Sequence, residues 1–475
     1  MGEIMFLMIQ NKGVAPIESF TLLGASTTRN CGIDGAIGQF GTGNKQSVNL
    51  LLRNNIGFRI YCGKTRLSFS TEPYDMEGST FDKVFCKLSG ANNKKIDLGW
   101  VLDFGSIDWT TIDMALREFI SNAIDRTIKE TEEFLPSIES GDLCVKLTEN
   151  AQAKDGYTRI FIKVEDAPEI LEYVKELPKR FLHFSKDTTQ LKETILPKAN
   201  RSFTESNGPM IYREGVFVRQ LTDHSDSVYD YNFRANEITI DDCRNSSEYA
   251  LKAACAKAIK KADQLTLTDI FRALASGKNC FEAKIDTYYT TFYSATKEER
   301  NNWIGAWEIA LGDKTVSAPV NGDNYAKTYA KRKGYNVAEI PDSWFTTVEH
   351  FGIQTTDDVL TENERKGREI FEATSSAKRA VEIVWEWCKM SGFTNDKEMP
   401  QVFCYKELTD AESDLMGFAK DNGVYLREDI SSGLNKLTLK AALEEVAHYI
   451  TGATDNSRDF QSFFRDMLVE FLFNQ

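Results

Sequence analysis

Histidine is scarce: the 475-residue chain has four, His183, His224, His350 and His448. That excludes a histidine-rich metal centre, so any metal must lean on carboxylates. The nine cysteines are scattered, odd in number and without a Cys-x-x-Cys pair. This spacing points to reduced thiols in a cytoplasm rather than to a disulfide framework. No apolar run approaches the roughly 20 residues that span a bilayer, so no membrane partner is expected. The apolar start from Ile4 to Ile9 is too short, and lacks the basic flank, for a signal peptide. Gly2 is followed by Phe6 where a myristoylation signal carries Ser or Thr. Neither an internal repeat nor a low-complexity tract stands out.

What is present is an ordinary globular balance, 41% apolar and 27% charged. The length exceeds one hydrophobic core and implies about two or three domains. A net charge of −14 argues against nonspecific coating of nucleic acid.

The pattern along the chain predicts a helix from Ser47 to Arg53 and strands at Phe58 to Cys62 and Arg66 to Ser70. A long helix is expected from about Asp108 to Glu130, then strands at Thr158 to Val164, Gly215 to Leu221 and Glu237 to Asp241. Helical spacing runs from Ser247 to about Ala275. From Tyr325 the pattern reads helix, strand (Tyr335 to Ile340), helix. The last stretch reads strand (Gln401 to Tyr405), helix, strand (Val424 to Arg427), then helices over Leu437–Thr451 and Arg458–Phe473. Soft boundaries fall near 245 and 335, giving regions 1–245, 246–335 and 336–475.

Two segments carry chemistry. The first is glycine-rich: Gly24, Gly32, Gly35, Gly38, Gly41 and Gly43 lie within one short stretch. Such density lets a backbone approach a ligand closely. Gly38-Gln39-Phe40-Gly41-Thr42-Gly43 leads into a helix carrying Lys45. Unpaired N–H groups at a helix start suit an anion, and Lys45 adds a point charge for a phosphate. Ser26, Thr27, Thr28 and Arg29 are further donors. The G-K-[ST] ending of a Walker A loop is absent, and no clear strand precedes the turn as a dinucleotide fingerprint requires. A surface loop that binds nothing has the same composition.

The second segment is Arg117-Glu118-Phe119-Ile120-Ser121-Asn122-Ala123-Ile124-Asp125. At roughly 100° per residue, Glu118, Asn122 and Asp125 fall within a narrow arc. Ile112, Leu116, Phe119 and Ala123 form the adjacent apolar stripe. A carboxylate beside a buried face suits a general base, and an amide oxygen suits Mg²⁺. A solvated helix face is the alternative.

Together the segments resemble two boxes of the GHKL ATPases, the family of the ninety-kilodalton heat-shock chaperones, MutL and the DNA gyrase B subunit. Ile37 to Gly43 looks like the second glycine box. Glu118 to Asp125 looks like the N box, E-x-x-x-N-A-x-D. The resemblance covers roughly residues 13–245. It implies an α/β sandwich, a mixed sheet with helices on one face, followed here by a mainly helical region and a small α+β C-terminal domain. It implies ATP and Mg²⁺ as ligands, with Glu118 activating water, Asn122 binding Mg²⁺, and Gly38, Gly41 and Gly43 wrapping the phosphates. Asp125 and Lys45 belong to the same pocket. The family's adenine-reading aspartate best matches Asp166, which follows a strand but lacks the flanking glycines. The segments Gly215 to Arg219 and Ile238 to Arg244 loosely resemble the strands after the pocket. Arg213 and Arg219 are candidates to meet the terminal phosphate. The resemblance also implies a homodimer and an ATP-ordered lid that repositions later domains toward a protein or nucleic-acid partner.

The order of the boxes departs from the family. The glycine box stands about 80 residues before the N box, as in a circular permutation. This order looks similar to phage- or bacterium-encoded proteins, which implies a cytoplasmic location. The lost glycines around Asp166 leave open a nucleotide-locked interaction protein without turnover.

Near the end, Ala441-Ala442-Leu443-Glu444-Glu445-Val446-Ala447-His448 resembles the zincin helix H-E-x-x-H with Glu444 in place of the first histidine. Positions i and i+4 share a helix face. Glu444, His448 and Asp455 are candidate zinc ligands, with Glu445 as base. A degenerate, metal-free helix is the alternative, and a metal-dependent hydrolase is the third functional reading.

Overall fold

The computed structural model describes residues 4–24, 37–38, 41–90, 93–132, 141–198, 207–221, 226–241, 243–285, 295–322, 324–360, 368–394, 397–407, 415–453 and 457–473. The chain is mixed α/β and forms two compact units. The first comprises residues 1–327 and 331–354, the second 328–330 and 355–475. The first unit thus runs through both boundaries expected from the sequence.

Seven strands form its main sheet: β1 (Phe6–Lys12), β2 (Phe58–Cys62), β3 (Thr65–Met76), β4 (Ser79–Ser89), β5 (Lys94–Val101), β6 (Leu143–Thr148) and β7 (Tyr157–Lys163). Their order is β5-β4-β3-β2-β7-β1-β6. Every ladder is antiparallel, where a mixed sheet was expected. The physical reason lies in the connections. β1 and β2 run in the same direction, but β7 is inserted between them, antiparallel to both.

Side chains alternate between the sheet's faces. Leu7, Ile9, Ile160 and Ile162 point to one face, where α1 (Glu18–Thr21), α2 (Gly43–Arg53) and α3 (Ile112–Thr131) complete the core. Phe6, Met8 and Phe161 point to the other. β6 ends opposite Phe6, while β7 begins opposite Lys12, so residues 149–156 run back along the sheet. The Tyr61 hydroxyl reaches the Ala151 carbonyl of that segment at 3.4 Å. The whole expected stripe of α3 is buried, and Ala115, Ile120 and Ile124 widen it. Each such Leu, Ile or Phe contributes roughly 1.5–3 kcal/mol.

The rest of the first unit holds a smaller sheet (Ile195–Pro197, Met210–Arg213, Val216–Gln220, Tyr229–Phe233) and a parallel pair, Thr315–Pro319 with Asn336–Ile340. Helices Glu248–Lys260, Gln264–Ala275, Lys297–Leu311 and Asp342–His350 share one core with Ile211, Tyr231 and Phe233 of that sheet. This common core joins the helical middle region to the strands before it. Asp263 divides the expected long helix by capping the second piece through the Thr266 N–H.

Glu237 to Asp241 is not a strand. Ile238 and Ile240 are buried at alternate positions, which mimics one. The Ile238 carbonyl instead accepts from the Arg213 guanidinium at 3.3 Å.

The second unit is a four-stranded sheet, Arg368–Glu372, Gln401–Glu407, Gly423–Arg427 and Gly417–Lys420 in spatial order. Helices Ser375–Met390, Lys436–Thr451 and Arg458–Phe473 cover it. No helix among the described residues is long and apolar enough to cross a membrane.

Candidate functional site

The glycine turn and the acidic helix meet. Asp125, on the buried side of α3, accepts the backbone N–H of Ile37 at 2.7 Å and of Gly38 at 2.8 Å. It is 2% exposed. Burial pushes its carboxyl up to about 6, the two N–H groups and Arg244 pull it down, and Glu118 raises it.

Gly43 opens α2 directly against Glu118. A Cβ on Gly43 would lie 2.8 Å from the Glu118 carboxyl carbon, so glycine leaves that carboxylate its place and a side chain here would push it aside. One residue on, Asn44 accepts from the Asn122 amide at 3.0 Å and donates to the Ser19 carbonyl at 3.3 Å. Gly41 has φ +73°, and its carbonyl accepts from Lys45 Nζ at 2.8 Å. Lys45 is 1% exposed, and burial lowers its ammonium to about 8. Glu118, Asn122, Asp125, Gly38, Gly41, Gly43 and Lys45 therefore gather at one seam. Gln39 and Phe40 lie outside the described residues, as do Ser26 to Arg29, Gly32 and Gly35.

Asp166 does not join them. It follows the end of β7, where its carboxylate accepts from the Gly57 N–H and from Lys163 Nζ, each at 2.9 Å. The Lys163 hydrogen bond and then the Gly57 N–H hold its carboxyl below the usual range. Thr158, near the opposite end of the same strand, lines the cleft beside Asn122 and Asp125, together with Ile160. That cleft measures about 50 Å³. A nucleotide needs several hundred.

Arg244 is a participant that sequence reasoning missed. It lies 3.7 Å from the Glu118 carboxylate and is 4% exposed. Its backbone sits at φ +64° in a turn closed by its own N–H on the Asp241 carbonyl. Burial lowers its guanidinium to about 10, Glu118 and Asp125 favour the charge, and Arg117 and Arg213 oppose it. Arg213, one of the two expected phosphate ligands, is buried and donates to the Ala235 and Ile238 carbonyls. Arg219, the other, pairs with Glu248 at 3.5 Å. Within the arginine group, Arg244 Nε and Nη1, Arg213 Nη1, and Arg117 Nε and Nη2 are buried without hydrogen-bond acceptors among the described residues. Guanidinium donors are the groups that pair most readily with an oxyanion. Nothing local in Cys243-Arg244-Asn245 announces this role, because a tertiary turn delivers the side chain.

In the second unit, Glu444 and His448 line one cleft. His448 Nδ1 meets the Ala453 carbonyl at 2.7 Å, and its ring stacks on Phe460 with centroids 4.1 Å apart. Asp455, the expected third ligand, lies outside the described residues. Among the described residues no three His, Cys, Asp or Glu side chains are grouped to hold a metal.

Comparison with protein-family models and with curated proteins finds no match to this chain.

Proposed function

We propose that this protein binds ATP with Mg²⁺ at the seam between the glycine turn and α3, in the manner of a GHKL nucleotide site, and hydrolyses it through Glu118. One observation carries the reading: the two segments that resemble GHKL boxes meet, with the Asp125 carboxylate on the Ile37 and Gly38 N–H groups. The acceptor-less nitrogens of Arg117, Arg213 and Arg244 supply the charge that a terminal phosphate needs. The Asn122 side chain engages Asn44 through its nitrogen, which leaves the amide oxygen as the natural Mg²⁺ ligand. The adenine contact is assigned to no residue, since Asp166 stands at the other end of β7.

The cleft of about 50 Å³ is lined by Asn44, Asn122 and Asp125 but by none of Gly38, Gly41, Gly43, Lys45 and Glu118. A phosphate that takes the Ile37 and Gly38 N–H groups must displace the Asp125 carboxylate from them. Hydrolysis further requires Glu118 to leave Arg244 and face water. These costs favour a second reading, nucleotide binding without useful turnover.

Calorimetry of the full chain with ATP and ADP, with and without Mg²⁺, tests binding. Asn122→Ala is expected to abolish Mg²⁺-dependent binding. Glu118→Ala is expected to keep binding and lose phosphate release. Wild type that binds neither nucleotide overturns the proposal. Stoichiometric binding with no phosphate release leaves the second reading in place.

A further inference from the structure

The main sheet has an outer face, opposite α2 and α3, that the nucleotide seam does not use. Residues directly opposite each other on neighbouring strands share a face. One row on the outer face runs Gln10, Arg159, Tyr61, Arg66 and Ser89 over β1, β7, β2, β3 and β4. The next row along the strands begins with Lys146 of β6, opposite Met8, and continues through Phe161 to Arg59 of β2. On β3 it holds Ser68, opposite Lys87 of β4, which is opposite Lys95 of β5. The two rows carry the cations Lys146, Arg159, Arg59, Arg66, Lys87 and Lys95 and no Asp or Glu, in a chain of net charge −14.

Part of this belt is crossed by residues 149–156, since the Tyr61 hydroxyl reaches the Ala151 carbonyl and Arg159 donates to the Gln152 carbonyl at 3.0 Å. From β2 to β5 it keeps one cation per strand, Arg59, Arg66, Lys87 and Lys95, over roughly 14 Å at ordinary strand spacing. Arg66, Lys87 and Lys95 are exposed and Arg59 is half-buried. Lys95 pairs with Glu72 and lies over the Phe85 ring at 4.2 Å, while Arg59 lies over Phe6 at 5.1 Å. Arg59, Arg66 and Lys87 meet no carboxylate among the described residues. Lys87 stands directly opposite Lys95, and like charges so placed destabilise a sheet unless an anion neutralises them.

We infer that this belt holds the phosphate backbone of a single-stranded nucleic acid without reading its bases. A line of cations free of carboxylates is the footprint of a linear polyanion. Ser68 and Ser89 stand in the same rows and offer hydroxyl donors to phosphate oxygens. A flexible single strand can follow cations laid across a flat sheet, whereas the phosphates of a stiff duplex curve away from it. No large apolar side chain of the two rows is exposed among the described residues, so a lipid surface would find nothing to take up. The acidic balance of the rest of the chain repels a polyanion and confines it to this face.

The test is fluorescence polarisation of the full chain with a labelled mixed-sequence single strand of about 20 nucleotides, across a salt series and without ATP. The matching duplex and phosphatidylserine vesicles are titrated in parallel. Wild type is expected to bind the single strand, and more weakly as salt rises. Arg66→Glu with Lys87→Glu is expected to lower affinity about tenfold or more. Arg66→Ser with Lys87→Ser removes two phosphate contacts and should flatten the slope of log affinity against log salt by about 1.4. Lys257→Glu with Lys261→Glu makes the same charge change at exposed positions elsewhere and should leave affinity within about twofold. If the Glu pair does not fold, the Ser pair decides alone. The inference is overturned if wild type binds no single strand at about 50 mM salt, or if the folded Arg66 and Lys87 variants bind as tightly as wild type. Equal loss in the Lys257 and Lys261 control, or tighter binding of the duplex or the vesicles, overturns it as well. No nucleotide is present, so a failure of ATP binding leaves this result standing.

Discussion

The Asp125 carboxylate grips the backbone N–H of Ile37 at 2.7 Å across 88 residues of sequence. A second bond, to Gly38 at 2.8 Å, uses the other carboxylate oxygen. Two donors of a glycine-rich turn are thus bound by an internal anion. In the proposed nucleotide site the same N–H groups would meet a phosphate, so Asp125 and the ligand would compete for them.

Asp125→Ala should loosen the turn. It leaves the Ile37 and Gly38 N–H groups without their acceptor, at a cost of about 1–3 kcal/mol each if they stay buried. Urea denaturation should show a lower midpoint. An unchanged midpoint means the turn is held by other contacts.

The same group gives a pH signature. Its carboxyl titrates near about 6 in the folded chain, against an ordinary 3.8. Between those values the folded chain holds a proton that the unfolded chain has released. The stability tied to Asp125 is full below 3.8 and is lost as pH rises through about 6. Asp125→Asn removes this term. The Tm of wild type relative to Asp125→Asn should therefore fall as pH is raised across that window, and a constant difference would refute the assignment.

Gly43→Ala tests the contact between α2 and Glu118. The added methyl meets the carboxyl carbon at 2.8 Å, so the Glu118 side chain must swing away, at a cost of about 1 kcal/mol. Truncation at the other side should relieve it. In a double-mutant cycle, Gly43→Ala is expected to cost much less in a Glu118→Ala background than in wild type.

Arg244→Ala separates the electrostatic role of the arginine from its packing. ATP affinity should drop by about tenfold or more, the scale of a charge-assisted bond. Arg219→Ala is the control, since Arg219 is held by Glu248, and it should leave ATP affinity unchanged. Equal losses in the two variants would remove Arg244 from the site.

Local signals made some of this legible. Glycine density and the Glu118–Asn122–Asp125 arc mark the two halves, because each depends on spacing within a few residues. The helices Lys436–Thr451 and Arg458–Phe473 are likewise evident from their periodicity. Tertiary events are not legible in that way. Arg244 reaches Glu118 from a left-handed turn with no helical or strand pattern. Asp166 has the expected place after a strand, yet the length of β7 carries it away from Asn122. Ile238 and Ile240 alternate like a strand, but the Ile238 carbonyl is claimed by Arg213.

The insertion of β7 between β1 and β2 has a consequence for biosynthesis. A ribosome emits β1, the glycine turn, α2 and β2 long before residue 157, so the place between β1 and β2 stays vacant until β7, the seventh strand of the sheet, arrives. A partner contact this distant in sequence closes slowly and leaves strand edges exposed meanwhile. The nascent chain up to about residue 150 therefore carries β1 and β2 with the edges that β7 will cover still open.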